Sequence, residues 1–126
     1  MIRIAAIIPA YNEEASIASV VAEINAVSAS SGIVIIPVVV NDCSKDRTAE
    51  IIDKLNCVAL HLPVNLGIGG GVQTGFIYAY ENGFDFAVQV DGDGQHPAES
   101  IPLLLQEATT IQLDVIIGSR FLNKEG

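Results

Sequence analysis

Basic residues are scarce in this chain. Six Lys and Arg stand against 15 Asp and Glu, for a formal charge of −9. Such a surface repels phosphate backbones and anionic headgroups, which argues against nucleic acid or a membrane face as the main partner. An anionic small molecule must then be held by a metal or by one of Arg3, Lys45, Arg47, Lys54, Arg120 and Lys124. Cysteine is sparser still: Cys43 and Cys57 have neither a metal-ligand spacing nor a disulfide framework, and read as reduced thiols of a cytosolic protein. No apolar run approaches the roughly 20 residues that span a bilayer. Met1 to Ile8 breaks at Pro9 without a small-residue cleavage site, so neither a transmembrane segment nor a signal peptide is expected. Low-complexity tracts and runs of more than two like charges are missing, which argues against disorder. What is there is 126 residues, half of them hydrophobic. That suffices for one domain burying about two thirds of its unfolded surface.

Arg3 to Pro9 is a short apolar run stopped by proline, the pattern of a strand buried on both faces of a parallel sheet. Asn12 is expected to cap a first helix, with Glu13 and Glu14 in its first turn and Ile17, Val20, Val21, Ile24 and Val27 on its inner stripe. The breaker cluster Ser28-Ala-Ser-Ser-Gly32 ends it. Ile33 to Val40 is a second strand in which every residue but Pro37 is β-branched; the proline lacks a ladder donor and predicts a bulge or a less central place. Its polar tip is Asn41-Asp42-Cys43-Ser44, with Ser44 expected to cap a second helix carrying Ala49, Ile51, Ile52 and Leu55. Cys57 to Leu62, closed by Pro63, is a third strand.

The stretch Asn65-Leu-Gly67-Ile-Gly69-Gly70-Gly71 then opens a third helix through Val72, Phe76, Ile77, Ala79 and Tyr80, with Gly83 past its end. Its glycines have two readings: backbone N–H groups free to meet an anion, or close helix–strand packing. The dinucleotide fingerprint is not matched, because Val72 stands at the third glycine position and the loop follows the third strand instead of the first. Phe84 to Val90 is a fourth strand. Ile101, Leu104, Leu105 and Ala108 carry a fourth helix near Pro97 and Pro102, and Asp114 to Gly118 is a fifth strand ending at Ser119-Arg120. This alternation specifies an α/β fold, a mostly parallel, doubly wound sheet of about five strands with helices on both faces.

Ligands of such sheets collect at the carboxyl ends of the strands. Four polar tips share that edge: Tyr11-Asn12-Glu13, Asn41-Asp42, Asp91-Gly92-Asp93 and Ser119-Arg120. The sharpest is Asp91-Gly-Asp-Gly-Gln95. Side chains two apart on an extended chain point the same way, so Asp91 and Asp93 can aim at one point and Gln95 can add a neutral oxygen. Converging carboxylates repel unless a cation separates them, and a divalent ion with hard oxygen ligands suits the position. A solvated turn uses the same residue types; the meeting of four polar tips on one rim favours the binding site.

Pro9-Ala-Tyr-Asn-Glu-Glu14, Asn41-Asp-Cys-Ser-Lys-Asp46, Asn65-Leu-Gly67 and Asp91-Gly-Asp-Gly-Gln-His-Pro97, in this order, resemble the nucleotide-sugar-binding half of glycosyltransferase family 2, with the GT-A (Rossmann-like) fold. The form Asp-x-Asp-x-Gln-His-Pro and the later Gly118-Ser-Arg120 are most similar to the dolichol-phosphate mannose synthase-like branch. The resemblance covers the chain as one domain, residues 1–126. It implies that Pro9, Ala10, Tyr11 and Glu13 line the base and ribose pocket, and that Asp42 hydrogen-bonds the base or holds the pocket's shape. Asn65, Gly67 and Gly92 join this donor-binding set, with Asp91 near the ribose and metal. Asp91, Asp93 and Gln95 are implied ligands of Mg²⁺ or Mn²⁺, and Asp93 and Arg120 the catalytic groups at the diphosphate. The implied function is metal-dependent, inverting transfer of a sugar from a UDP- or GDP-sugar to a sugar or polyprenyl-phosphate acceptor, in cell-wall or polysaccharide biosynthesis. A phosphate acceptor is already ionised and demands no general base.

The sequence departs from the family's Asp-Asp-Gly-Ser at two places: Asn41 replaces the first acid, and Cys43, read as a small buried filler, replaces the glycine. His61 and His96 are assigned no chemistry. Family catalytic domains continue beyond the arginine into an acceptor-binding half that this chain lacks. It is therefore expected to be a truncated domain of a cytoplasmic protein, brought to the membrane face by missing C-terminal segments, with exposed apolar surface that favours homo-oligomers. Two rivals are a truncated, non-catalytic nucleotide-sugar-binding module and a nucleotidyltransferase. The latter resembles a Gly-rich, Arg- and Lys-bearing loop after strand one, where Tyr11-Asn-Glu-Glu14 stands here.

Overall fold

The computed structural model describes residues 2–90. Strand and helix alternate as β1 (Arg3–Ala10), α1 (Ile17–Ser31), β2 (Val34–Asn41), α2 (Thr48–Ile52), β3 (Val58–His61), α3 (Gly67–Glu81) and β4 (Phe86–Gln89). The sheet order is β3-β2-β1-β4, with every pairing parallel. The chain steps outward from β1 to β3, then crosses back to the far side of β1. That reversal sets a topological switch point between the carboxyl ends of β1 and β4. The fourth helix and fifth strand expected from the sequence lie outside the described residues.

Beyond Arg3, β1 is apolar because both its faces are covered. Ile4, Ala6, Ile8 and Ala10 join Ile17, Val20, Val21 and Ile24 of α1 and Ile52 of α2 in one core. Ala5 and Ile7 join Val38, Val40 and the α3 residues Val72, Phe76 and Ala79 in the other. Full burial of a side chain such as Ile7 stabilises by about 1.5–3 kcal/mol relative to exposure. Gly75 lets α3 lie close, since a Cβ there would collide with Ile7, whereas one on Gly71 would sit 3.7 Å from Pro9, an ordinary contact. The close approach to β1 thus falls at Gly75, outside the stretch Asn65–Gly71. On the outer surface Val64, Leu66, Ile68, Ile77 and Tyr80 are exposed. No helix among the described residues is long and apolar enough to cross a membrane.

Pro37 lies in neither place predicted for it. β2 is an interior strand, and its register with β1 runs unbroken from Arg3↔Val34 to Ala10↔Asn41. The Asp42 N–H donates to Ala10 O, and Asn41 O accepts from Leu62 N–H. Odd-numbered β2 residues therefore turn their backbone groups toward β3. Pairing with β3 begins only at Val38↔Val58, so the missing donor of Pro37 faces a side where no partner strand yet stands. Ile35, facing the same way, gives its N–H to Ser28 Oγ at 3.0 Å. Proline and serine together blunt an edge that would otherwise invite another strand.

Both predicted helix caps are corrected. α1 begins at Ile17, and Asn12 precedes it in a left-handed conformation at φ 55°. Ser16 and Ile17 donate their N–H groups to Glu13 O, so a turn separates the asparagine from the helix. α2 begins at Thr48, four residues beyond Ser44. Both residues hold loops together across the sheet edge instead.

Candidate functional site

The β1–α1 and β2–α2 loops interlock along the carboxyl edge. Asn12 donates its N–H to Ser44 Oγ at 3.0 Å, and its Oδ1 accepts from Lys45 N–H at 2.8 Å. One turn on, Glu14 N–H reaches Asp46 Oδ2 at 3.1 Å and Arg47 N–H reaches Glu14 Oε1 at 3.3 Å. Thr48 closes the set from a fully buried position. Its hydroxyl accepts from Glu13 N–H at 2.9 Å and donates to Asp46 Oδ1 at 2.6 Å. Burial pushes the Asp46 carboxyl upward, but hydrogen bonds from the Thr48 hydroxyl, Thr48 N–H and Glu14 N–H outweigh it and hold the group below its ordinary value. At Cys57, on the entry to β3, burial and then the charge of Asp53 push the thiol upward, which makes it a poor nucleophile.

Asp42 lies at the end of β2, 5% exposed. Its carboxylate accepts from Leu66 N–H at 2.6 Å and Gly67 N–H at 2.9 Å, and Asn65 Nδ2 donates to its carbonyl at 3.2 Å. Of the two roles considered for Asp42, the geometry supports holding the shape: an internal carboxylate fills the positive end of α3. The N–H groups of Leu66 and Gly67 are therefore already taken and are not free to meet a phosphate. Asn65 and Gly67 belong to this anchor.

Asn41, 4% exposed, extends the network to β3. Its Oδ1 accepts from Ser44 N–H at 3.0 Å, which orients the amide so that Nδ2 faces His61 Nδ1, also at 3.0 Å. His61 Nε2 in turn meets Asp53 Oδ1 at 2.8 Å. Sequence reasoning assigned His61 no chemistry and did not foresee the Asn41 contact. The available signal was the Asn41-x-x-Ser44 spacing, which permits an Asn side chain to accept a backbone N–H. Cys43 corrects another expectation, for it is half-buried and left-handed at φ 60°, with Sγ 3.7 Å from Pro63 O. A left-handed residue is where glycine costs least, which explains why the family pattern has glycine there.

Of the predicted site residues, Pro9, Ala10, Tyr11, Glu13 and Asp42 stand together at the carboxyl ends of β1 and β2. Tyr11 is 42% exposed on that rim, and its ring is a face on which a flat base can stack. On the other side of β1, Val90 N–H donates to Ile7 O at 2.8 Å and brings the chain to the same edge immediately before Asp91. Asp91, Gly92, Asp93, Gln95 and Arg120 lie outside the described residues. Among the described residues no group of three or more His, Cys, Asp or Glu side chains is placed to hold a metal.

Comparison with known proteins gives the family. The family description Glycosyl transferase family 2 matches residues 5–126. The chain is 34% identical over 134 aligned residues to a UDP-N-acetylglucosamine–dolichyl-phosphate N-acetylglucosaminyltransferase of Methanococcus voltae, covering 93% of this chain and 51% of that protein. It is 33% identical to an undecaprenyl-phosphate mannosyltransferase of Micrococcus luteus, covering 94% and 48%. The chain thus spans about half the length of these curated relatives. Among solved structures it is similar to S. aureus TarS 1–349 in complex with UDP-GlcNAc, at TM-score 0.58 and 28% identity, covering 73% of this chain and 27% of that one. TarS 1–349 without that ligand in its description matches at TM-score 0.62 and 25% identity, over 86% and 33%. With the family description matched over nearly all of its length, the chain belongs to glycosyltransferase family 2.

Proposed function

We propose that this chain is the donor-binding half of an enzyme that transfers a sugar from a nucleoside-diphosphate sugar to a polyprenyl phosphate. The observation that carries the reading is the interlocked rim at the carboxyl ends of β1 and β2, beside the switch point, where the loop carrying Pro9, Ala10, Tyr11 and Glu13 is bonded to the loop that follows Asp42. It occurs in a chain alignable over more than nine tenths of its length with two polyprenyl-phosphate sugar transferases. The TarS fold to which it is similar was solved with UDP-GlcNAc. In this reading Tyr11 stacks on the base, Pro9 and Ala10 form the floor, and Glu13 binds the ribose. Asp42 fixes the wall by tethering α3, without touching the nucleotide.

Asp91, Asp93 and Gln95 offer two carboxylates and an amide oxygen, a hard donor set that fits Mg²⁺ or Mn²⁺. An ion bound there supplies positive charge to the departing diphosphate, with the Arg120 guanidinium adding to it. The N–H groups of Leu66 and Gly67 add nothing to it, because Asp42 occupies them. The acceptor phosphate attacks the anomeric carbon as an anion and inverts it, and such an acceptor places the reaction at a membrane surface.

Calorimetry with UDP and with GDP, each with and without Mn²⁺, tests the donor site on wild type and Asp93→Ala. Nucleotide binding that requires Mn²⁺ and is lost in the variant is expected. Binding indifferent to metal, or to the substitution, contradicts the reading. Transfer itself is tested by an assay with a polyprenyl phosphate on the natural polypeptide.

A further inference from the structure

Four side chains, those of His61, Asn41, Ser44 and Asn12, link β3 to the rim, and none of them is among the residues assigned to the donor or the metal. His61 and Asn41 are register partners on adjacent strands. Asn41 cannot turn freely, because Ser44 N–H holds its Oδ1 at 3.0 Å. Its Nδ2 is therefore the donor to His61 Nδ1, and that ring nitrogen must present a lone pair. The ring proton then sits on Nε2, donated to Asp53 at 2.8 Å. Ser44 passes the constraint on, since its Oγ receives Asn12 N–H, and Asn12 Oδ1 receives Lys45 N–H. Asn12 lies between Tyr11 and Glu13, the two residues read as gripping base and ribose.

We propose that His61 is a positioning residue of the donor pocket: as the Nε2–H tautomer it holds the Nδ2 end of the Asn41 amide in place, and through the Asn41–Ser44 and Ser44–Asn12 bonds it steadies the loop that carries Tyr11 and Glu13. The inference rests on the donor-site reading above and adds a residue to it. Asp53 is the carboxylate facing the outer ring nitrogen and is 60% exposed along its side chain. That contact is solvent-screened and contributes little. The Asn41 contact has one partner buried in the sheet, and it transmits the constraint.

Two substitutions separate the two ring nitrogens. His61→Asn places an amide oxygen near the position of Nδ1 and gives up Asp53, while His61→Gln reaches Asp53 and leaves Asn41 Nδ2 without its acceptor. Calorimetry with UDP and Mn²⁺ is expected to find His61→Asn within about twofold of wild type. His61→Gln is expected to bind about tenfold more weakly, the loss of one part-buried hydrogen bond. Amide exchange in the ligand-free chain should accelerate at Ser44 and Lys45 in His61→Gln only. Equal weakening by both variants, or by neither, overturns the proposal, as does an Nδ1–H tautomer in the ¹⁵N spectrum of wild type. Wild type that binds neither UDP nor GDP overturns the donor reading instead, and exchange at Ser44 then decides on its own whether His61 sets the loop.

Discussion

Replacing Asp42 with alanine strands two backbone donors at the start of α3. The carboxylate accepts at 2.6 Å from Leu66 N–H and at 2.9 Å from Gly67 N–H, and the residue is 5% exposed. A hydrogen bond to a charged group stabilises by about 1.5–3 kcal/mol, and a negative charge at a helix start by about 0.3–1 kcal/mol. Leu66 is exposed, so water replaces part of what its N–H loses, and the net expectation is a loss of about 3 kcal/mol. Asp42→Asn keeps one acceptor oxygen and should lose about half as much. Urea unfolding reads both, with the slope unchanged so that a lower midpoint reports stability alone. If Asp42→Ala costs under about 0.5 kcal/mol and yet abolishes nucleotide binding, the anchor reasoning is wrong and the carboxylate contacts the base.

The α3 glycines make a paired prediction. Gly75→Ala drives a methyl into Ile7 and should cost about 1–3 kcal/mol by overpacking, whereas Gly71→Ala meets only ordinary contacts and should be neutral or gain up to about 1 kcal/mol of helix propensity. Thermal melts that rank the two the other way refute the packing account. Asp46 predicts a pH dependence. Its folded carboxyl titrates below the ordinary 3.8, so the stability it contributes is fully present above that value and is lost as pH falls through the folded one. The gap in unfolding midpoint between wild type and Asp46→Asn should be constant from about pH 5 to 7 and close at lower pH; a gap that widens on acidification contradicts the assignment. Thr48→Val removes the hydroxyl between Glu13 and Asp46 at constant shape and should destabilise by about 1–2 kcal/mol, read by the same melts.

The α/β layering was legible because β1 and β2 are covered on both faces and so read as unbroken apolar runs. The expected strand Phe84–Val90 was found as β4, Phe86–Gln89, with Val90 still bonded to Ile7. Tertiary pairing was not legible, and the errors trace to it. Asn12 and Ser44 have the chemistry of caps, but the groups they bind lie 32 and 33 residues away in the chain. Pro37 suggested a bulge because one strand alone does not reveal where β3 begins to pair. His61 acquires its role only from sitting in register with Asn41. Asp42 was read with both roles open, and its proximity to Leu66 and Gly67 separates them.

The central claim, that the carboxyl ends of β1 and β2 form the donor site, is tested most directly by titrating the ¹⁵N-labelled chain with UDP and Mn²⁺ and mapping amide shifts onto the sheet. Shifts concentrated at Ala10 to Glu13 and Asp42 to Lys45, with the amino-end residues Arg3, Val34 and Val58 unmoved, are the predicted result. Shifts centred on those amino-end residues, with the interlocked loops unmoved, would contradict the account.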